Sequence, residues 1–117
     1  MENIQTDYTP DLLRGSTDIL LLSLIDEMGS TYGYKMIKEI EKRSRGFFHC
    51  KEGTIYPALR KLENDGLTKG DWRELPNGQR RRYYQITPNG QEMLAKKITI
   101  WQNFTTAVNL VFKPVEA

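Results

Sequence analysis

The side chains best suited to binding cluster between Lys51 and Leu67. At about 100° per residue, Gly53, Tyr56, Pro57, Arg60 and Asn64 share one face of a helix, with Thr54 and Lys61 at its flank. That face offers a hydroxyl, a phenol, an amide and two cations, the groups that hydrogen-bond phosphates and base edges. A second cluster, Arg80-Arg81-Arg82, adds cations further downstream. The remaining chemistry is thin. His49 and Cys50 are neighbours, but with one His and one Cys in the chain they fall short of a metal-ligand set. They read as a packed or partly exposed loop pair. No nucleophile stands with a base, no glycine loop cradles a phosphate, and Asp26-Glu27 reads as a solvated helix end. A binding protein is expected, not an enzyme, with neither metal nor cofactor.

The elements that must position these groups follow from periodicity. Ile55, Ala58, Leu59 and Leu62 recur at i, i+3, i+4 and i+7, so the opposite stripe of the same helix faces a core, and Gly66 stands where a C-terminal cap belongs. Pro57 forfeits a bond to the Gly53 carbonyl, but a helix beginning near Glu52 or Gly53 loses only that one. Gly53 and Pro57 together leave the helix start smooth enough for close approach to another surface.

Upstream, residues 1 to 8 are polar and Thr9-Pro10-Asp11 supplies a helix start. Leu12-Leu13 and the run Ile19 to Met28 are apolar nearly all round, which predicts a central core helix ended by Gly29. Ser30 or Thr31 is expected to cap a further helix, Tyr32–Ser44, whose buried stripe is Gly33, Met36, Ile37 and Ile40 and whose outer face is basic. With the connection 45–50, the two helices before Gly66 match a helix-turn-helix plan with a long turn. Downstream, 67–75 and 79–87 have strand character around the turn signal Pro76-Asn77-Gly78. A hairpin placed there is a wing, with its arginines near the tip. Alternation puts Tyr84 and Ile86 on one face and Tyr83 on the other, so at least one tyrosine packs inward.

Thr87-Pro88 repeats the cap-plus-proline start, and a last helix is expected to run to about Phe112, before Lys113-Pro114. Leu94, Ile98, Trp101, Thr105, Val108 and Phe112 follow spacings of four and three, with Phe104 and Val111 beside the seam. A helix of roughly 25 residues is about 38 Å long, more than a small domain covers with its own core. The simplest partner for the surplus is a second copy, giving a twofold homodimer. The alternative is a helix buried against its own chain.

At 117 residues, 38% hydrophobic and 27% charged, the chain is expected to close one core. No apolar stretch approaches the roughly 18 to 20 residues that cross a bilayer, the first residues do not form a leader, and one cysteine suits a reducing compartment, so a cytoplasmic protein with no membrane partner is expected. The net charge of +2 decides little. Its distribution says more, because Lys35, Lys38, Lys42, Arg43, Arg45, Lys51, Arg60, Lys61 and the arginine triplet face few acids, while Glu63, Asp65, Asp71 and Glu74 gather elsewhere. A basic stripe is the footprint of a polyanion partner.

Three stretches together resemble the PadR family of bacterial transcriptional regulators: Tyr32-Gly33-Tyr34, the run Gly53-Thr54-Ile55-Tyr56-Pro57-Ala58-Leu59 continuing to Leu67, and Gly78 to Thr87 with its arginine triplet and tyrosine pair. Arg82 stands where that family often has lysine, which keeps the charge. The resemblance implies a mainly α fold with a small β-hairpin: a winged helix-turn-helix over 1–87 and a C-terminal dimerisation helix over 88–117, as in the short subfamily. It further implies a homodimeric repressor on a palindromic double-stranded DNA operator, with the helix from Gly53 in the major groove. Tyr32, Tyr34, Lys35, Lys51, Thr54, Tyr56, Pro57, Arg60 and Lys61 are then the expected DNA-facing residues, with Arg80, Arg81 and Arg82 on the wing. Leu94, Ile98, Trp101, Val108, Val111 and Phe112 are the expected dimer residues. Some short members are similar to drug-sensing repressors in which paired tryptophans sandwich a flat ligand. Trp101, with Phe104 nearby, lies at the matching place, either as part of a site for a small aromatic, drug-like effector or as dimer filling. A winged-helix module that binds protein instead of DNA is the alternative reading.

Overall fold

The buried centre of the molecule is a helix with leucine or isoleucine at half of its positions. A computed structural model describes residues 15–112, and in it α1, Thr17–Met28, holds Leu21, Leu22 and Ile25 fully buried. Gly29, at φ 78°, ends it and donates its N–H to Ile25 O, a conformation that suits a residue without Cβ. The helix starts after Ser16. A turn at Gly15-Ser16 precedes it, so the run Ile19 to Met28 does not continue unbroken from the expected start at Thr9. Thr9, Pro10, Asp11, Leu12 and Leu13 lie outside the described residues, as do Lys113 and Pro114.

The next element differs from its expectation. Thr31–Tyr32 is a short strand, β1, and the following helix α2 covers Gly33–Arg43 with Tyr32 at the N-cap and no side-chain cap bond. Neither Ser30 nor Thr31 caps it, because Thr31 and Tyr32 pair with Tyr84 and Tyr83 and the Thr31 side chain is buried. The stripe of α2 is as expected, Gly33, Met36, Ile37 and Ile40. Its end is a Schellman turn in which Gly46 N–H reaches Glu41 O and Arg45 N–H reaches Lys42 O. Arg45 occupies the left-handed position, φ 54°, where glycine is the usual residue.

Helix α3, Glu52–Asn64, buries Ile55, Leu59 and Leu62. It too closes in a Schellman turn, Leu67 N–H to Leu62 O and Gly66 N–H to Glu63 O, with Gly66 at φ 77°. Strands β2, Thr68–Glu74, and β3, Arg80–Ile86, form the hairpin, registered from Thr68 opposite Ile86 to Glu74 opposite Arg80. Gly78 N–H bonds Leu75 O across the tip and Asn77 Oδ1 accepts from Gln79 N–H. The sheet has order β1-β3-β2. Tyr84 is the inward tyrosine, 5% exposed.

Helix α4, Pro88–Phe112, starts on a Thr87 hydroxyl that accepts from Gly90 N–H and donates to Gly66 O. Thr87 N–H reaches Leu67 O, and a Cβ on Gly90 would run into that same carbonyl. The start of α4 is thus seated directly on the backbone that leaves α3. Leu94 lies in the core and Ile98 packs against it, so Leu94 serves this chain's own interior. Beyond Ile98 the helix carries exposed Ile100, Trp101, Phe104, Leu110, Val111 and Phe112. Among the described residues no helix is long and apolar enough to cross a membrane.

Candidate nucleic-acid interface

Because α3 turns Ile55, Leu59 and Leu62 inward, its other two flanks face different neighbours. Tyr56, Arg60, Glu63 and Asn64 look toward the hairpin, across a groove of about 710 Å³ whose other walls are Tyr32, Gly33, Tyr34, Trp72 and the arginines 80, 81 and 82. The fit is close at its floor. The Tyr56 ring lies against the α-carbon of Gly33, where a Cβ would come within 2.6 Å of it. Burial, reinforced by the Glu52 charge, holds the Tyr56 phenol above its ordinary pKa, so it stays a neutral donor.

The three wing arginines are held differently. In the hairpin, Arg80 is opposite Glu74 and stands 5.1 Å from the centre of the Trp72 ring. Arg81 lies on the Tyr32 ring at 3.9 Å and donates to the Tyr83 hydroxyl at 3.3 Å. Tyr83 is edge-on to Tyr32 at 5.2 Å and carries Arg73 over its ring at 4.2 Å. This alternation of rings and guanidinium groups ties β1, β2 and β3 together. Arg82 instead points toward α3, donating through Nε and Nη2 to the Glu63 carboxylate.

Other expected residues lie outside the groove. Lys61 pairs with Asp65 at 2.8 Å and, with Thr54, borders a cleft against Asp18 of α1 and Met93 and Lys97 of α4. Lys51 caps α3 through its carbonyl, which accepts from Thr54 and Ile55 N–H, while its side chain is exposed. Pro57 is exposed on the outer face of α3, and Lys35 is exposed on α2 beside Tyr34, whose ring carries Lys38 at 5.3 Å. The arrangement is a protruding helix and a cationic hairpin around a phenol-lined groove. Glu63 is the residue that sequence reasoning left among the acids. Its pairing with Arg82 spans 19 positions and has no local signature.

Away from this face, His49 Nδ1 meets Glu41 at 2.9 Å. Burial, then the Glu41 charge, pushes the buried Cys50 thiol up, which disfavours a nucleophilic thiolate.

The sequence profile described as "Transcriptional regulator PadR-like family" matches residues 21–96, from the core of α1 through the groove-lining elements and into α4. The chain belongs to the PadR family. As a member it is a DNA-binding winged-helix transcriptional regulator and not an enzyme. Among solved structures this PadR chain is similar to a transcriptional regulator from Clostridium thermocellum, with 34% identity, a TM-score of 0.77, and coverage of 85% of this chain and 95% of that one. It is also similar to a PadR-like regulator from Bacillus cereus, with 30% identity, a TM-score of 0.76, and coverage of 90% and 99%. A protein of Lysinibacillus sphaericus is 30% identical over 91% of this chain and 96% of its own length.

Proposed function

We propose that this PadR-family regulator is a repressor that binds a palindromic operator as a homodimer. The observation that carries the reading is the groove between α3 and the hairpin, where Arg60, Arg80, Arg81 and Arg82 gather with four tyrosines and Asn64. Helix α3 enters the major groove with Gly53 and Pro57 leading. Thr54, Tyr56, Arg60 and Asn64 are within reach of base edges, and Lys51, Lys61, Lys35, Tyr32 and Tyr34 are disposed toward the flanking backbone. Arg80 and Arg81 serve the wing. Residues 1–87 act as the DNA-binding unit and 88–117 as the dimerisation helix, whose first turns also complete the core.

Dimerisation through α4 is supported by what the protomer leaves uncovered. Trp101, Phe104, Val111 and Phe112 are 43, 57, 82 and 75% exposed, a long apolar surface of the kind that marks an interaction site. Twofold packing through Ile98, Trp101, Val108, Val111 and Phe112 holds two recognition helices about 34 Å apart, one duplex turn. Trp101 and Phe104, tilted at 34° with centroids 5.7 Å apart, border a hollow of about 490 Å³ with Asp18, Ile19, Lys97 and Ile100. A flat aromatic effector stacking there would release the operator through linkage between the two sites.

Footprinting the protein on the DNA flanking its own gene, with and without planar aromatic compounds, tests the reading. A protected palindrome is expected, with affinity falling by a log–log slope of about −0.9 per phosphate contacted. Arg60→Ala should cost about 1–3 kcal/mol and relax discrimination at one position, whereas Arg81→Ala should weaken all duplexes alike. Binding unchanged by both substitutions would place the docking face elsewhere. Trp101→Ala should abolish release by aromatic compounds, and a retained response would remove the effector site.

A further inference from the structure

We infer that Arg82 is not a phosphate contact but one half of a latch with Glu63 that fixes the angle between the hairpin and α3, and so sets operator discrimination. The inference rests on the DNA-binding reading for its consequence, though not for its geometry.

Five observations carry it. The Arg82 guanidinium reaches the Glu63 carboxylate through two nitrogens, Nε at 3.3 Å and Nη2 closer still. A forked contact of this kind holds orientation as well as distance. The two side chains are 26 and 28% exposed, the most enclosed ion pair taken together among the described residues. The hairpin also makes room for the fork, because a Cβ on Gly70 would stand 2.8 Å from Arg82 Nε. The rings of Trp72 and Tyr84 lie 5.4 and 6.0 Å from the guanidinium carbon. Strand alternation places Arg82 on the same face as buried Tyr84, toward α3, while Arg81 turns to Tyr32 on the other face. Moving Arg82 to a phosphate would strand a partly enclosed carboxylate on a surface meant for a polyanion. Paired, Glu63 is neutralised and the hairpin is tied to the helix that reads the bases.

Glu63→Gln, Arg82→Gln and the double variant separate a latch from a phosphate contact. If Arg82 bound phosphate, Arg82→Gln would reduce the salt slope by about 0.9, and Glu63→Gln, by removing an anion, would raise affinity for every duplex. For a latch, each single variant lowers the operator-to-scrambled-duplex affinity ratio about tenfold with the salt slope unchanged, and the double variant is no worse than either single one. Amide hydrogen exchange without DNA supplies an independent arm. Residues 68–74 and 80–86 should exchange faster in all three variants while α1 keeps its protection, which also shows that the fold is intact. Faster hairpin exchange in a protein that binds no duplex would uphold the latch geometry and refute the operator reading. Unchanged exchange in both single variants, or additive effects in the double variant, would overturn the latch.

Discussion

Replacing Phe104 by alanine tests the association of two copies through α4. The ring is 57% exposed in the protomer, and a side chain of its kind carries roughly 200 Å² of surface, so about 110 Å² per copy is available to a partner. Both rings of a twofold pair together offer about 230 Å², and at about 25 cal/mol per Å² complete burial contributes at most about 6 kcal/mol. Allowing half that coverage leaves about 3 kcal/mol, or about a hundredfold in the dimer dissociation constant. Sedimentation equilibrium of Phe104→Ala against the parent reads this directly. Circular dichroism should remain that of a folded winged helix, because Phe104 contributes nothing to the buried core. Operator binding should become steeply concentration-dependent, since two reading heads must then assemble on the duplex. A dissociation constant within about threefold of the parent would show that the helices do not pack through this ring, and Phe104 would then belong to the effector hollow alone.

Gly90→Ala should destabilise the chain by about 2–4 kcal/mol in denaturant titrations at fixed protein concentration, despite alanine's better helix propensity. The added carbon would strike the Leu67 carbonyl and come within 2.7 Å of Ile86 Cγ1, lifting α4 from its seat; a neutral result would mean the helix start is not seated this way. Arg45→Gly should instead stabilise by about 0.5–1 kcal/mol, because φ 54° costs a side-chain-bearing residue more than the extra freedom of unfolded glycine. A lower midpoint in the same titration would contradict the left-handed geometry at that turn. Gly53→Ala should stabilise the chain by a few tenths to about 1 kcal/mol, since nothing lies within 4 Å of the added carbon. It should nevertheless weaken duplex binding if the start of α3 closely approaches DNA, and unchanged affinity would remove that part of the docking.

What the sequence determined by itself was most of what is encoded within a few residues. The α2 stripe of Gly33, Met36, Ile37 and Ile40, the α3 start near Glu52, the Gly66 cap, the Pro76-Asn77-Gly78 turn and the Thr87-Pro88 start all express helical or strand periods and single-residue φ preferences. The motif around Gly53 to Leu67 also carried the family. Only the tertiary structure decided how residues far apart in the chain use their bonding groups. Thr31 looked like a cap because its hydroxyl precedes a helix, yet its backbone pairs with Tyr84 in the sheet. Leu94 looked like seam, yet the core of its own protomer takes it. Arg80, Arg81 and Arg82 are equivalent as letters, but the pleat of β3 sends one to Glu63, another to Tyr32, and leaves Arg80 beside Trp72. Periodicity says which residues share a face. What that face meets depends on packing across the whole chain, and no local rule contains it.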